Sequence, residues 1–210
     1  MDSASYWLLF FSAAFAINIS PGPDLIYILS KTIAQGRKIG IASSLGVCTG
    51  ALFHVFAAAL GISAILATSA LAFSIVKYVG AAYLIYLGIQ ALRSKGISFE
   101  SPKKGNKTTA WKAFKQGVLI DILNPKVAIF FMAFLPQFIR PDMGSTSVQM
   151  LYLGFLVILV AIFVEFFIVL TAAKTTNFFR NNQQSAIWLD RVLGSILIGL
   201  GIRLALIEDK

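Results

Sequence analysis

Long apolar runs alternate with short polar connections along the whole chain, and each run is about as long as a membrane crossing requires. A hydrocarbon core of about 30 Å takes roughly 20 mostly apolar helical residues. Runs of that order lie near residues 5–30, 39–66, 69–92, 113–137, 148–173 and 185–207. They lack the alternating polar positions of a barrel strand, and backbone polar groups in hydrocarbon must pair internally. The pattern therefore predicts an all-α integral membrane protein with six transmembrane helices, forming a single transmembrane domain over 1–210. The first run contains Ala14-Phe15-Ala16, which has the form of a cleavage site. The residues ahead of it carry Asp2 but no Lys or Arg, so the positive region of a signal peptide is missing and a retained helix is expected.

Two of the runs are interrupted. Ser20-Pro21-Gly22-Pro23 breaks the first and Asn124-Pro125-Lys126 the fourth, because proline removes a helical donor and clashes with the preceding turn. Each break falls near mid-span. The chain then reads as two halves of three helices, about 1–92 and 113–210, each opening on a broken one. Three is odd, so the second half enters the membrane in the opposite direction. This inverted-topology repeat is an arrangement in which secondary transporters build their sites at the breaks. Prolines that merely kink packed helices are the plainer alternative.

Composition narrows the class. Of 210 residues, 58% are hydrophobic and 13% charged, with 18 Lys and Arg against 9 Asp and Glu, a net charge of +9 and a mean hydropathy of +0.80. A soluble domain carries about 25% charged residues, so an ordinary cytosolic enzyme, a disordered chain and a secreted disulfide scaffold are excluded. The single cysteine, Cys48, leaves no disulfide framework and no cysteine metal site. The cations are unevenly placed. Lys31, Arg37, Lys38, the 93–112 loop with Arg93, Lys95, Lys103, Lys104, Lys107 and Lys112, the nearby Lys115, and Lys174 and Arg180 fall on one side; Arg140 and Lys210 fall on the other. Lys and Arg collect on the cytoplasmic side, which predicts that both termini lie outside. The basic loop suits topology and anionic lipid heads better than nucleic acid, since base-stacking aromatics are scarce there.

Ionisable groups within the spans carry the candidate chemistry, since each costs about 3 kcal/mol at mid-bilayer. Asp24 follows the first break, and Asp121 and Lys126 flank the second. A broken helix offers free N–H groups to anions and free carbonyls to cations, and a zwitterionic amino acid needs both. Its carboxylate is expected near Gly22 and Val127 with help from Lys126, and its ammonium near Asp24 or Asp121 and the carbonyls around Ile19 and Leu123. A structural Asp24–Lys126 ion pair is the alternative. His54, mid-span, titrates near neutral pH and is one proton-coupling candidate; a hydrogen-bonded core histidine is its plainer role. Glu165, among Ile162, Phe163, Val164, Phe166 and Phe167, is the second. Lys77 and Arg203 are expected to snorkel outward, and Asp190 to pair with Arg191. Gly46-x-x-x-Gly50, Gly80, Gly88, Ser195 and Gly199 read as helix-packing positions.

These residues resemble the LysE/RhtB family of bacterial amino-acid exporters. The matching stretches are Ile19-Ser20-Pro21-Gly22-Pro23 with Gly36, Gly46 to Gly50 with His54, and Lys77 through Gly88. Asn124-Pro125-Lys126, Phe134-Leu135-Pro136-Gln137-Phe138, Gly194 and Gly199 follow in order. The resemblance implies a six-helix exporter driven by the proton or ion gradient, with Pro21, Gly22, Pro23, Lys77, Asn124, Pro125 and Lys126 as its motif residues. It implies an amino-acid substrate, with the threonine- and homoserine-exporting branch preferred because of His54, no cofactor, and a proton as the coupling ion. Homodimers fit this group. No P-loop is present to favour ATP. A metal-ion exporter of related architecture needs a ligand cluster that one histidine and one cysteine do not supply. An enzyme needs a convergent nucleophile and base, and a non-transporting scaffold would tolerate loss of both Asp24 and Asp121.

Overall fold

The computed structural model describes residues 3–68, 70–94, 108–181 and 183–206; most of the basic loop, including Lys95, Lys103, Lys104 and Lys107, lies outside them. All described elements are helical. They are α1 (Ser3–Ile19), α2 (Pro23–Gln35), α3 (Arg37–Thr68), α4 (Ala70–Arg93), α5 (Ala110–Ile122), α6 (Pro125–Ile129), α7 (Thr146–Asn181) and α8 (Gln183–Leu206). A π-helical turn over Phe130–Phe134 and a 3-10 turn over Leu135–Phe138 continue α6, and a second 3-10 turn follows at Pro141–Met143.

Among the described residues eight α-helices stand where six rods were expected, and the proline breaks account for the difference. α1 and α2 meet at 56°, and α5 meets the segment Pro125–Phe138 at 51°. By length and composition, residues 37–61, 74–93 and 146–172 each suffice to cross a membrane, and each bent pair, taken as one span, raises the number to five. α8, with Asp190, Arg191 and Arg203, is not among them. α7 runs eight residues past the predicted end at 173. No Pro or Gly follows to stop it, so Lys174 and Arg180 continue the helix instead of occupying a loop.

Each break has a local cause. Gly22 caps α2 in extended conformation with Pro23 at its first position, where a missing N–H costs nothing. At the second break the Asn124 side-chain oxygen accepts the Lys126 N–H at 3.1 Å, and Pro125 again takes the first position. Further on, Pro136 offers no N–H to the Met132 carbonyl, and there the α-helix gives way to π and 3-10 turns. Gly36, at φ 87°, ends α2 in a conformation that disfavours side chains.

The rods pack α4 on α8, α3 on α5 and α7, α2 on α3, and α1 on α7. The glycines make the first two pairs close. A Cβ on Gly46 would stand 2.2 Å from the Phe114 carbonyl oxygen, and one on Gly117 2.5 Å from that of Ser43. Gly88 and Gly194 each approach the other's carbonyl to 2.6 Å on the same measure. The GxxxG of α3 thus serves packing within the chain. The Tyr27 hydroxyl donates to the Ala113 carbonyl at 2.7 Å and ties α2 to α5. Lys77 is 3% exposed, with its ammonium 4.8 Å from the centre of the Tyr78 ring, so it does not snorkel outward. Asp190 is buried while Arg191 is exposed, as neighbours on a helix diverge by about 100°.

Candidate functional site

The two prolines that break the helices also release carbonyls. In an α-helix residue 21 would donate to the Ile17 carbonyl, but Pro21 has no N–H. The freed oxygen accepts from Lys126 Nζ at 3.3 Å, and the Ser20 carbonyl, left over where α1 ends, accepts from the same ammonium at 3.1 Å. Lys126 also reaches Asp24 Oδ2 at 3.0 Å. One cation from the second break therefore satisfies both the carbonyl end of α1 and the carboxylate that opens α2. Lys126 itself holds the α1 carbonyls expected to meet a substrate ammonium.

The second break repeats the logic. Pro125 cannot donate to the Asp121 carbonyl, which accepts instead from the Asn124 N–H and from His54 Nε2, each at 2.9 Å. A carbonyl only accepts, so Nε2 bears the hydrogen. His54 is buried, its ring lies nearly parallel to Phe131, and it does not line the central cavity. It fixes the end of α5, on which Asp121 stands.

Asp24, Asp121, Lys126 and Glu165 all line one cavity of about 30 Å³, room for about one or two waters. Asn18 and Cys48 are its other polar or sulfur-bearing members, and the remaining wall is apolar, from Ile17, Val47, Val127, Phe131, Val157 and Ile158 among others. Glu165, from α7, accepts from the Ser44 hydroxyl at 2.7 Å and from the Cys48 thiol at 3.5 Å, both on α3 one helical turn apart. Asp24 Oδ1, Asp121 Oδ2 and Asn124 Nδ2 are buried with no hydrogen-bond partner among the described residues. Buried polar atoms are normally paired, so these atoms represent unused binding capacity beside the cavity. Three carboxyls and one ammonium thus face the same cavity.

The prolines and the glycine act differently. Pro23 and Pro125 are exposed, Pro21 is half-buried, and none of the three lines the cavity. They shape the breaks. Gly22 is buried, and a Cβ there would stand 2.5 Å from Asp24 Oδ1 and 2.7 Å from Lys126 Nζ. Its role is space for the ion pair, since its extended backbone (φ −160°) is open to any residue.

An aromatic layer closes the cavity toward the α1 N-terminal end. Phe130 lines the cavity and stacks on Phe134 at 4.6 Å between ring centres; Phe134 meets Phe138 at 4.7 Å and Phe10 at 6.5 Å. Phe10, Phe134 and Phe138 are at most 2% exposed. Two of these rings belong to the π turn, a distortion frequent at functional sites.

The LysE type translocator family matches residues 15–207. An uncharacterized membrane protein of Bacillus subtilis (strain 168), YrhP, is 32% identical over 95% of this chain and 98% of its own length. The chain belongs to the LysE type translocator family. An uncharacterized membrane protein of Vibrio cholerae is 29% identical over 95% of this chain and 96% of its own. The leucine efflux protein of Salmonella typhimurium is 27% identical over 98% of this chain and 96% of its own. No solved structure matches the chain significantly. In this LysE type translocator, Ser44, the thiol of Cys48 and the aromatic layer are site features that sequence reasoning missed. Ser44 and Cys48 carried a signal in their spacing, i and i+4, which puts both on one face of α3.

Proposed function

We propose that this translocator exports a neutral amino acid with an apolar side chain across the bacterial inner membrane by proton-coupled alternating access. One observation carries the reading: ionisable groups from both broken helices and from α7 line a single buried cavity. The substrate ammonium pairs with Asp121 and the unpartnered Asp24 oxygen, while its carboxylate competes for Lys126. The aliphatic side chain lies on the Val157, Ile158 and Phe131 wall. That wall, together with the leucine efflux relatives, favours an aliphatic substrate over a hydroxylated one. Glu165 and Asp121 are the proton carriers, and His54 positions Asp121.

A cavity of about 30 Å³ is too small for an amino acid, so binding requires the halves to separate, and the Asp24–Lys126 pair is the contact that opens. The packing pattern supports an inverted repeat with α8 as the sixth span. Exchanging the halves turns the α3–α5 contact into α7–α1, which is present, and leaves α3–α7 and α4–α8 unchanged. The charge bias supports periplasmic termini.

The test is retention after a dipeptide load. Cells overproducing the protein and given a leucine-containing dipeptide should hold a lower leucine pool than cells producing Asp121→Asn, with the difference abolished by collapsing the proton gradient. Equal pools in both strains would reject the reading.

A further inference from the structure

A second cavity, of about 430 Å³, lies between the start of α1, the 141–143 turn and the start of α7. Volumes of this order hold small ligands. Its charged wall residue is Arg140, and the rest is largely aromatic or apolar: Tyr6, Trp7, Val148, Tyr152 and Leu153, with Gln149 and Met143 completing it.

The wall is held firmly. Gln149 clamps the Arg140 backbone from both sides, its Oε1 accepting the Arg140 N–H at 2.9 Å and its Nε2 donating to the Arg140 carbonyl at 2.9 Å. A third bond, from the same Nε2 to the Gly144 carbonyl at 3.2 Å, ties in the turn. The guanidinium carbon stands 4.2 Å from the centre of the Tyr6 ring. The ring is fixed in turn, because its hydroxyl donates to the Phe138 carbonyl at 2.7 Å. No described acidic residue forms an ion pair with Arg140; Nη1 reaches only the Met143 sulfur, at 3.9 Å. A planar cation fixed over an aromatic face and facing an apolar hollow is suited to a carboxylate or a phosphate, which it can hold through two parallel hydrogen bonds.

We propose that this outer pocket binds a monoanionic group carried on a compact apolar body, with the anion on Arg140 and the apolar part against Trp7, Tyr152 and Leu153. Two molecules have that chemistry: the exported amino acid, for which the pocket would be an exit station, and an anionic phospholipid. The first of these rests on the function proposed above. The aromatic layer supports it, since Trp7 of the outer pocket and Phe130 of the central cavity are joined through Phe10 and Phe134.

Trp7 supplies the readout. Trp111 and Trp188 are 65% and 67% exposed, so Trp111→Phe and Trp188→Phe leave it as the sole tryptophan at little cost to folding. Purified protein is titrated with leucine, with 3-methylbutylamine (leucine without its carboxylate) and with short-chain phosphatidylglycerol, following Trp7 emission. A saturable change with leucine assigns the pocket to the exported amino acid, and one with phosphatidylglycerol alone assigns it to lipid. Either anion should bind at least about tenfold more weakly to Arg140→Gln, with Arg140→Lys between, and the amine should bind at least about tenfold more weakly than leucine where leucine binds. No response to either anion, or equal affinity in wild type and Arg140→Gln, overturns the proposal. Asp121→Asn separates the two sites: it should abolish export and leave the Trp7 response in place. Export without any Trp7 response would refute the outer pocket alone.

Discussion

Replacing Lys126 by methionine removes one positive charge and strands three acceptors at once. Asp24 loses its partner at 3.0 Å, and the Ile17 and Ser20 carbonyls lose the ammonium that covers them. The side chains of the pair are only 4% and 9% exposed, so water offers little screening. Removing one partner of a buried ion pair costs about 3–5 kcal/mol, because the remaining charge is left uncompensated. For a chain of this length each kcal/mol moves the melting temperature by roughly 2–4 °C, so Lys126→Met should melt about 10 °C lower. Adding Asp24→Asn removes the stranded charge and supplies a donor, and the double variant should recover at least about half of the loss. Transport should stay abolished in both. The assay is size-exclusion chromatography of detergent-solubilised protein after a heating series, paired with leucine export. A melting point within about 2 °C of wild type for Lys126→Met, or a double variant no more stable than the single one, refutes the pairing as described.

Other outcomes follow from the same geometry. Gly46→Leu drives a side chain into the Phe114 carbonyl and should cost about 3 kcal/mol or more, read as loss of folded protein after heating. Leucine at Gly61, where a Cβ would meet no described atom within 4 Å, should be tolerated. His54→Leu leaves the Asp121 carbonyl with the Asn124 N–H as its remaining donor and should cost about 1 kcal/mol. His54→Gln, which can restore that donor, should keep export; an inactive but folded glutamine variant would instead make the imidazole a proton carrier. Glu165→Gln keeps an oxygen to accept from Ser44, so it should fold normally while export becomes insensitive to the imposed proton gradient.

What could be read from the sequence follows where its signals are local. The breaks at Pro21 and Pro125 were legible, because a missing N–H acts on its own helix. Asp24, Asp121, Lys126 and Glu165 could each be singled out as costly within a span, but that Glu165 and not His54 lines the cavity with the other three depends on packing. The α7 extension was not legible, since apolarity marks a membrane span whereas a helix ends only at a breaker, and residues 174–181 contain neither Pro nor Gly. Nor was the irregular stretch 130–138, where Pro136 disrupts a run that otherwise reads as helix. His54 illustrates the general limit: its chemistry suggested proton transfer, while its partner, a carbonyl freed 67 residues away, is set by tertiary packing. Lys77 likewise required the neighbouring helices to be placed.

Cys48 provides the most direct measurement of the central claim. It is the single thiol of the chain, it is buried, and it lines the cavity between the broken helices. A guest held by Asp24, Asp121 and Lys126 must cover it. Alkylation of Cys48 by a small membrane-permeant reagent should slow when saturating leucine is present, and leucine should have no effect in Asp121→Asn. An alkylation rate unchanged by leucine, in protein that nonetheless exports it, would contradict a substrate site at the breaks.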